Sequence, residues 1–412
     1  MKQTNNAIKF LMAQYRAIFK NANIAMVAAI AAAALAAGQA QAATDQTLDN
    51  QGFTGDAALN VTITGAATAD TDKKEYKKFT ITGDEGENGF TNTQENVLTV
   101  TGGKDGDQST SSFEGKSDNK LGVINLTNTT LKIEGSADAV ADTKVAVGGS
   151  DKSVALTLKE VSVKKGTLQV GKDGGAQVAS SLTANKITIG GDGPAELNAK
   201  KAAVITGTKS IEVKKGGTVG LGVEAQLSGA SLTVTDGALK LGDKSKVINS
   251  AINVSGGTVT LSGKDNDNKS ELGNSSSNIK ITGGEVKVDD GKHGVITASS
   301  FTLSDKAKLT NSGSLAINTT GTLELSGGTI DNADQKSLTF GNVTNIKSGS
   351  TVTNSGTLVF AKGGSIDDNA TFTNTAKGGN TKVHIGTGTD ECQYKSRYKS
   401  SVCRTKTMNF ET

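Results

Sequence analysis

The chain of 412 residues has no tryptophan, one proline and two cysteines, and aromatic residues make up only 4% of it. Residues 43–390 lack cysteine, methionine, tryptophan and arginine, and their only tyrosine and proline are Tyr76 and Pro194. A globular core of this length normally contains more large side chains. The shortage therefore argues against a compact globular enzyme. A region without cysteine also needs no disulfides, although an exported protein is able to form them.

The first 42 residues have the three parts of a secretory signal peptide. Residues 1–23 carry four basic residues and no acidic residue, residues 24–37 are apolar, and a small-x-small end follows. We predict cleavage after Ala42, with Ala40 before it and Ala43 as the first mature residue. The apolar run is about 14 residues, short of the roughly 20 that span a bilayer, which disfavours an uncleaved membrane anchor. The sequence therefore predicts export through the Sec machinery.

Short apolar-x-apolar groups joined by two or three turn residues recur along the chain. In residues 252–261, Ile252 and Val254 alternate with polar residues, and the alternation resumes after Gly256 and Gly257. Such alternation is typical of β-strands, whereas disordered chains lack it. The clear repeats begin at Val161, Ile187, Ile211, Leu232, Ile252, Ile279, Phe301 and Leu323, with spacings of 26, 24, 21, 20, 27, 22 and 22 residues.

Two architectures fit a glycine pair between two alternating runs. One is a β-hairpin, for which a two-residue Gly-Gly link is a known signal. The other is the corner of a parallel β-helix in which each repeat is one coil. The sustained period and the short runs favour the β-helix, because stacked coils require both. We therefore expect an all-β chain folded as a right-handed parallel β-helix, a pectin-lyase-like solenoid.

The repeat length also predicts the extent of the solenoid. At about 22 residues a coil, residues 43–390 would make about 16 rungs, or a rod of roughly 75 Å at the usual strand spacing. Residues 43–120 alternate less regularly and have long polar links, so we expect N-terminal rungs and a polar cap there. Residues 121–390 form the predicted repeat region, with inward Val, Ile and Leu stacked from rung to rung.

Residues 391–412 differ in composition from the repeats. Cys392 and Cys403, two tyrosines and two arginines fall within this segment, and the alternation stops. One interpretation is a small loop closed by a disulfide between Cys392 and Cys403. The other is an aberrant tail left by a frameshift or truncation, since the solenoid has no visible C-terminal cap in the sequence.

The formal net charge of +3 is unevenly distributed. The leader carries +4 and residues 391–412 carry +3, so the central region carries −4. Nucleic-acid binding requires a basic stripe. We therefore expect no nucleic-acid partner.

Three features make the chain similar to the passenger region of a bacterial autotransporter (type V secretion) adhesin. They are the extended leader with residues 9–20 before its apolar core, the Gly/Thr/Asn/Ser-rich β-helical repeat, and the cysteine-free central region, which suits threading through a narrow pore. The resemblance implies an exported passenger with an adhesin-like role. The chain lacks the family's tryptophan-containing leader motif and its C-terminal β-barrel translocator, so the resemblance implies a passenger cut short or exported by other means.

Catalysis is not expected. β-Helical enzymes that act on polysaccharides need clustered carboxylates and commonly an arginine, and residues 43–390 contain no arginine. His293 and His384 are far apart in the sequence and have no paired Cys or carboxylate spacing. We expect His293 to lie in an exposed turn, and we assign no catalytic residue, because a general base needs partners and a pocket.

Two glycine–aspartate stretches, 102–107 and 190–193, resemble calcium-binding turns. Calcium β-rolls need their motif in tandem, and neither stretch is repeated, so we interpret both as turns. Residues 265–268 are interpreted as a solvated loop, and no phosphate-binding loop follows a strand. The sequence therefore predicts no metal and no cofactor.

The sequence leaves three functional hypotheses. The first is a surface-displayed or released passenger that binds host or bacterial surface molecules by many weak contacts. The second is a polysaccharide-active β-helical enzyme, and the third is a non-functional fragment. The unpaired strand edges at the two ends of a solenoid also predict self-association. The expected location is the cell surface, the outer membrane or the medium, with the periplasm as the alternative.

Overall fold

The computed structural model describes residues 46–48, 60–64, 79–83, 90–91, 96–101, 109–115, 117–118, 120–135, 143–148, 152–172, 179–375 and 381–385. Regular structure in these ranges consists of β-strands, which confirms the predicted all-β class. A membrane-crossing helix, long and apolar enough to span a bilayer, is absent from these ranges.

The strands follow one another in chain order. Their bounds are β1 (Gln46–Leu48), β2 (Asn60–Thr64), β3 (Phe79–Gly83), β4 (Phe90–Thr91), β5 (Asn96–Thr101), β6 (Ser109–Gly115), β7 (Leu121–Ile133), β8 (Thr143–Val147), β9 (Ser153–Val163), β10 (Gly166–Val170), β11 (Ser181–Ile189), β12 (Ala195–Ala199), β13 (Val204–Val213), β14 (Gly217–Leu221), β15 (Gln226–Val234), β16 (Ala238–Leu241), β17 (Lys246–Val254), β18 (Thr258–Leu261), β19 (Ser270–Leu272), β20 (Asn278–Ile281), β21 (Glu285–Val288), β22 (His293–Ala298), β23 (Ser300–Ser304), β24 (Lys308–Asn311), β25 (Ser314–Thr319), β26 (Leu323–Ser326), β27 (Thr329–Asn332), β28 (Ser337–Phe340), β29 (Thr344–Ile346), β30 (Thr351–Asn354), β31 (Thr357–Phe360), β32 (Gly364–Ile366), β33 (Thr371–Asn374) and β34 (Lys382–Ile385).

The strands pair in parallel from one turn to the next and form three faces. Face A is one sheet, in the order β1-β3-β6-β8-β10-β12-β14-β16-β18-β21-β24-β27-β30-β33. The long strands β7, β9, β11, β13, β15 and β17 bend across the other two faces. Beyond β17 these separate into face B (β19, β22, β25, β28, β31 and β34) and face C (β20, β23, β26, β29 and β32). The chain is therefore a parallel β-solenoid, as predicted.

The glycine pair at 256–257 is a corner of the solenoid. Strand β17 before it pairs with β15 and β20, and strand β18 after it pairs with β16 and β21. The two strands therefore belong to different faces and do not pair with each other. The β-helix interpretation is confirmed here and the hairpin alternative is wrong.

The number of turns is smaller than predicted. The regular part of the solenoid makes about ten turns rather than 16, and short upstream strands extend face A to 14 strands. The first four strands of face A begin at Gln46, Phe79, Ser109 and Thr143, which are farther apart than the starts of later face-A strands. The prediction assumed an even spacing along the whole region, and these early strands do not have it.

The core is a set of apolar columns inside the coil. Leu232, Ile252, Ile279, Phe301 and Leu323 lie in register on five successive turns, and all are buried. Full burial of one such side chain contributes roughly 1.5–3 kcal/mol. Stacked Val, Ile and Leu therefore stabilise the solenoid, as the alternation predicted. Phe340 and Phe360 add a stacked aromatic pair with ring centroids 5.2 Å apart.

A buried asparagine ladder follows the C-terminal half of face A. Asn311 donates to Asn332 at 2.7 Å, Asn332 donates to Asn354 at 2.7 Å, and Asn354 donates to Asn374 at 2.8 Å. Asn311, Asn332 and Asn354 are 0% exposed. Each residue ends a face-A strand, so the ladder satisfies polar groups where the chain turns toward face B.

Candidate functional site

One corner between face A and face B is longer than its neighbours. Four residues connect β14 to β15, β16 to β17 and β21 to β22, whereas eight residues, 262–269, connect β18 to β19. The turns on either side therefore close this corner with four residues, and the β18–β19 corner carries four more than they do. Insertions of this kind in repeat proteins form loops on one face, often the binding face.

Asp265 fixes the conformation of this loop. Its Oδ1 accepts hydrogen bonds from the backbone N–H of Asp267 (2.9 Å), the backbone N–H of Asn268 (2.9 Å) and the Asn268 side-chain amide (2.7 Å). The bond from the Asn268 side chain is the main reason that the pKa of Asp265 is lowered. The ionised carboxylate therefore links residues 265, 267 and 268 within the loop.

Contacts with neighbouring turns anchor the loop over face B. Gly263 forms an antiparallel bridge with His293, and His293 Nδ1 lies 3.1 Å from Asn266 Oδ1. The Asn268 carbonyl accepts a hydrogen bond from the Lys244 N–H at 3.4 Å. The prediction that His293 lies in an exposed turn is wrong: it is half-buried and begins β22. Its ring positions the loop.

The loop forms one wall of a groove of about 530 Å³ on face B. Its lining residues are Glu224, Gln226, Lys244, Lys246, Asn266, Asp267, Lys269, Glu271 and Val295. They come from four successive turns and from the loop. A volume of this size falls in the range of roughly 300–1,000 Å³ that is typical of small-molecule sites.

Two ion pairs neutralise part of the groove. Lys246 Nζ lies 3.1 Å from Glu271, and Lys244 Nζ lies 3.7 Å from Glu224. Glu224 and Lys244 occupy equivalent corner positions one turn apart, and both have a left-handed backbone, with φ of 60° and 54°. The corner geometry therefore aligns their side chains on the outside of the coil.

The two charged residues supplied by the loop itself differ from these pairs. Within the part of the chain that the structure describes, Lys269 and Asp267 have no ion-pair partner. Lys269 is half-buried and Asp267 is exposed. The groove therefore contains one lysine, Lys269, that has no ion-pair partner among the described residues.

The other stretches singled out in the sequence lie elsewhere. Gly190 and Gly191 form the corner between β11 and β12 with positive φ, as expected for a turn, and Asp192 pairs with Lys164 at 3.4 Å. This pairing raises the pKa of Lys164, chiefly through the hydrogen bond that Lys164 donates to Asp192. Residues 102–107 lie outside the described residues, and so do Ala40, Ala42, Ala43, Cys392 and Cys403.

His384 lies on face B, in β34, and His293 lies four strands away on the same face. The structure does not bring the two histidines together. Within the described ranges, no group of three or more His, Cys, Asp and Glu side chains is placed to hold a metal ion.

Sequence reasoning identified the loop at 265–268 but missed the groove. The lining residues extend from Glu224 to Val295 along the chain, and only the stacking of turns brings them together. The spacing between the repeats at Ile252 and Ile279 was a usable signal, because it is the longest of the regular series. No family model, curated protein or solved structure matches the chain.

Proposed function

We propose that the chain is an exported passenger, similar to those of autotransporter adhesins, which binds surface molecules by many weak contacts and does not act as a catalyst. The observation that carries the proposal is the repetition of polar side chains on the outside of successive turns. Repeated weak contacts on a rigid scaffold give high overall avidity. The proposal includes export through the Sec machinery, a right-handed and pectin-lyase-like coil, and display at the cell surface or outer membrane or release into the medium, with the periplasm as the alternative.

The outward residues of face A support such a role. Thr329, Thr351 and Thr371 lie in register on three turns, one strand spacing of about 4.8 Å apart. Their hydroxyl groups are at the surface because the residues alternate with the buried Ile330 and Val352. A ligand surface with its own structural repeat can therefore contact equivalent hydroxyl groups on several turns.

Charged ladders on the outside of the coil also support it. Lys186 and Lys214 lie 3.0 Å and 3.3 Å from the two carboxylate oxygens of Glu212. Partial burial raises the pKa of Glu212, but the hydrogen bonds from the two lysines outweigh it, and the net pKa is lowered. The Lys186–Glu212 pair links neighbouring turns, and both pairs keep the outer surface hydrophilic.

Self-association through a solenoid end is a second proposal, favoured by the last described turn. Ile366, Phe372 and Val383 are only partly buried there, whereas their partners one turn back, Ile346, Val352 and Leu358, are buried. Apolar side chains and strand edges at the end of a stack favour docking of another copy. Sedimentation of the purified chain at several concentrations tests this proposal.

The experiment for the main proposal is display of the chain on a non-adherent bacterial strain, with an equally expressed unrelated exported protein as control. We expect attachment to cells or to coated surfaces to increase. Unchanged attachment with confirmed display would refute the proposal. The alternative of a polysaccharide-cleaving enzyme stays a prediction, which an assay for depolymerisation of acidic polysaccharides by the purified chain tests.

A further inference from the structure

We propose that the groove on face B binds a carboxylate-bearing saccharide of one or two sugar units, with its carboxylate on Lys269. This inference rests on the proposed surface-binding function and assigns to it one site and one ligand class. Its basis is the combination of an insertion that the coil does not need, a preformed wall and an unpartnered cation.

Residues 262–269 span a distance that four residues span in the turns on either side, so the extra residues do not close the coil. They are nevertheless ordered by the Asp265 hydrogen bonds and by the contact with His293. A loop that is ordered but unnecessary to the scaffold is most readily explained by binding.

The charges select the class of ligand. Lys244 and Lys246 are neutralised by Glu224 and Glu271, so the groove does not attract a polyanion. Lys269 is half-buried and has no ion-pair partner among the described residues, so a single carboxylate on a ligand is able to form a charge-assisted hydrogen bond with it. The exposed Asp267 remains hydrated and requires no partner.

The remaining lining residues suit the hydroxyl groups of a sugar. The amides of Gln226 and Asn266 provide both donors and acceptors, and Val295 provides a small apolar contact. A groove of about 530 Å³ accommodates one or two sugar units. The site contains no aromatic side chain among its described lining residues, so we expect binding to depend on hydrogen bonds and on the carboxylate.

The test is calorimetric titration of the purified chain with three probes: galacturonic acid, its methyl ester and neutral galactose. We expect the acid to bind at least about tenfold more tightly than either neutral probe, the effect of one charge-assisted hydrogen bond. Lys269→Met should remove this preference. Lys306→Met, in an exposed corner of another turn, should leave it unchanged.

A second variant replaces residues 262–269 with Gly-Asp-Lys-Ser, the natural corner at 242–245. The coil should keep its β circular dichroism, because neighbouring turns use this corner, and saccharide binding should be lost. Equal binding of all three probes, retained binding in this variant, or equally tight binding of an Asp-Asp peptide would each overturn the inference.

The attachment assay distinguishes this inference from the proposed surface-binding function on which it rests. If the chain mediates attachment but does not bind the acidic saccharide, only the assignment of ligand and site is wrong. If the saccharide binds in the groove but the displayed chain does not increase attachment, only the surface-binding proposal is wrong.

Discussion

The side-chain amide of Asn332 donates a hydrogen bond of 2.7 Å to the side-chain oxygen of Asn354, one turn further along the solenoid. The same amide also bonds to the Thr357 carbonyl at 3.1 Å, and its oxygen accepts from Asn311. Asn332 is 0% exposed, so none of these bonds competes with bulk water. Buried amides that stack in this way link consecutive turns in addition to the strand pairing beside them.

Asn332→Ala should therefore be strongly destabilising. The substitution removes the bonds to Asn354 and Thr357 and leaves the Asn311 amide without one acceptor, so we expect the free energy of unfolding to fall by about 2–4 kcal/mol. Urea denaturation followed by circular dichroism measures the change. Asn318→Ala is the matched control, since Asn318 is exposed in strand β25 on face B, and it should change stability by less than about 0.5 kcal/mol. Equal effects of the two substitutions would contradict a stabilising role for the ladder.

Asn249 is a buried asparagine that does not belong to the ladder. It is 0% exposed at the bend of β17, and neither atom of its side-chain amide has a hydrogen-bond partner among the described residues. Asn249 pairs in register with Gly229 of the preceding turn, and glycine has no side chain that could bond to it. A buried amide without partners is destabilising, because its desolvation is not compensated.

Asn249→Ala should consequently leave stability unchanged or raise it by up to about 1 kcal/mol, although it removes the same group as Asn332→Ala. The same urea titration compares the two variants. A loss of more than about 1 kcal/mol at Asn249 would show that its amide has a partner, such as an internal water, and would contradict this account.

The regular part of the fold could be predicted from local pattern. Alternation in β17 placed Ile252 and Val254 inside the coil, and the glycines after them marked the corner. The asparagine ladder was missed because each of its members resembles an ordinary turn residue. Its signal is present in the segments KLTN, TIDN, TVTN and TFTN, in which asparagine recurs at the end of each face-A strand.

The groove was less predictable for a physical reason. Lys246 and Glu271 belong to different turns and pair only because the register places β17 beside β19. Register across an inserted loop is set by the closure of the coil, which composition does not reveal. The sequence indicated that residues 265–268 form a loop, but not which face of the coil the loop would cover.

Gly257→Ala should disrupt the coil more than Gly291→Ala, although both glycines have similar backbone angles, with φ of 72° and 65°. A Cβ at Gly291 meets no atom within 4 Å, whereas a Cβ at Gly257 would collide with the carbonyl oxygen of Gly237 in the preceding turn. We expect about 1 kcal/mol of backbone strain at Gly291, and at least about 2 kcal/mol more at Gly257 because the backbone must shift. Thermal denaturation of the two variants makes the comparison. Equal melting temperatures would show that close packing of turns does not require this glycine.

The order of the groove loop should depend on pH through Asp265. The pKa of this carboxyl is lowered in the folded chain, mainly by the hydrogen bond from the Asn268 side chain. The stabilisation is therefore fully present above the unfolded pKa, about 3.9, and is lost as pH falls through the lower folded pKa. In NMR spectra, the side-chain amide of Asn268 and the backbone amide of Asp267 should shift together below about pH 4.

Asp265→Ala should abolish both transitions and leave the strand resonances of β17 and β19 in place, because neither strand depends on the loop for its pairing. A transition of these amides with a midpoint above about pH 4 would mean that the folded chain does not favour the ionised carboxylate. The assignment of Asp265 as the residue that fixes the loop would then be wrong.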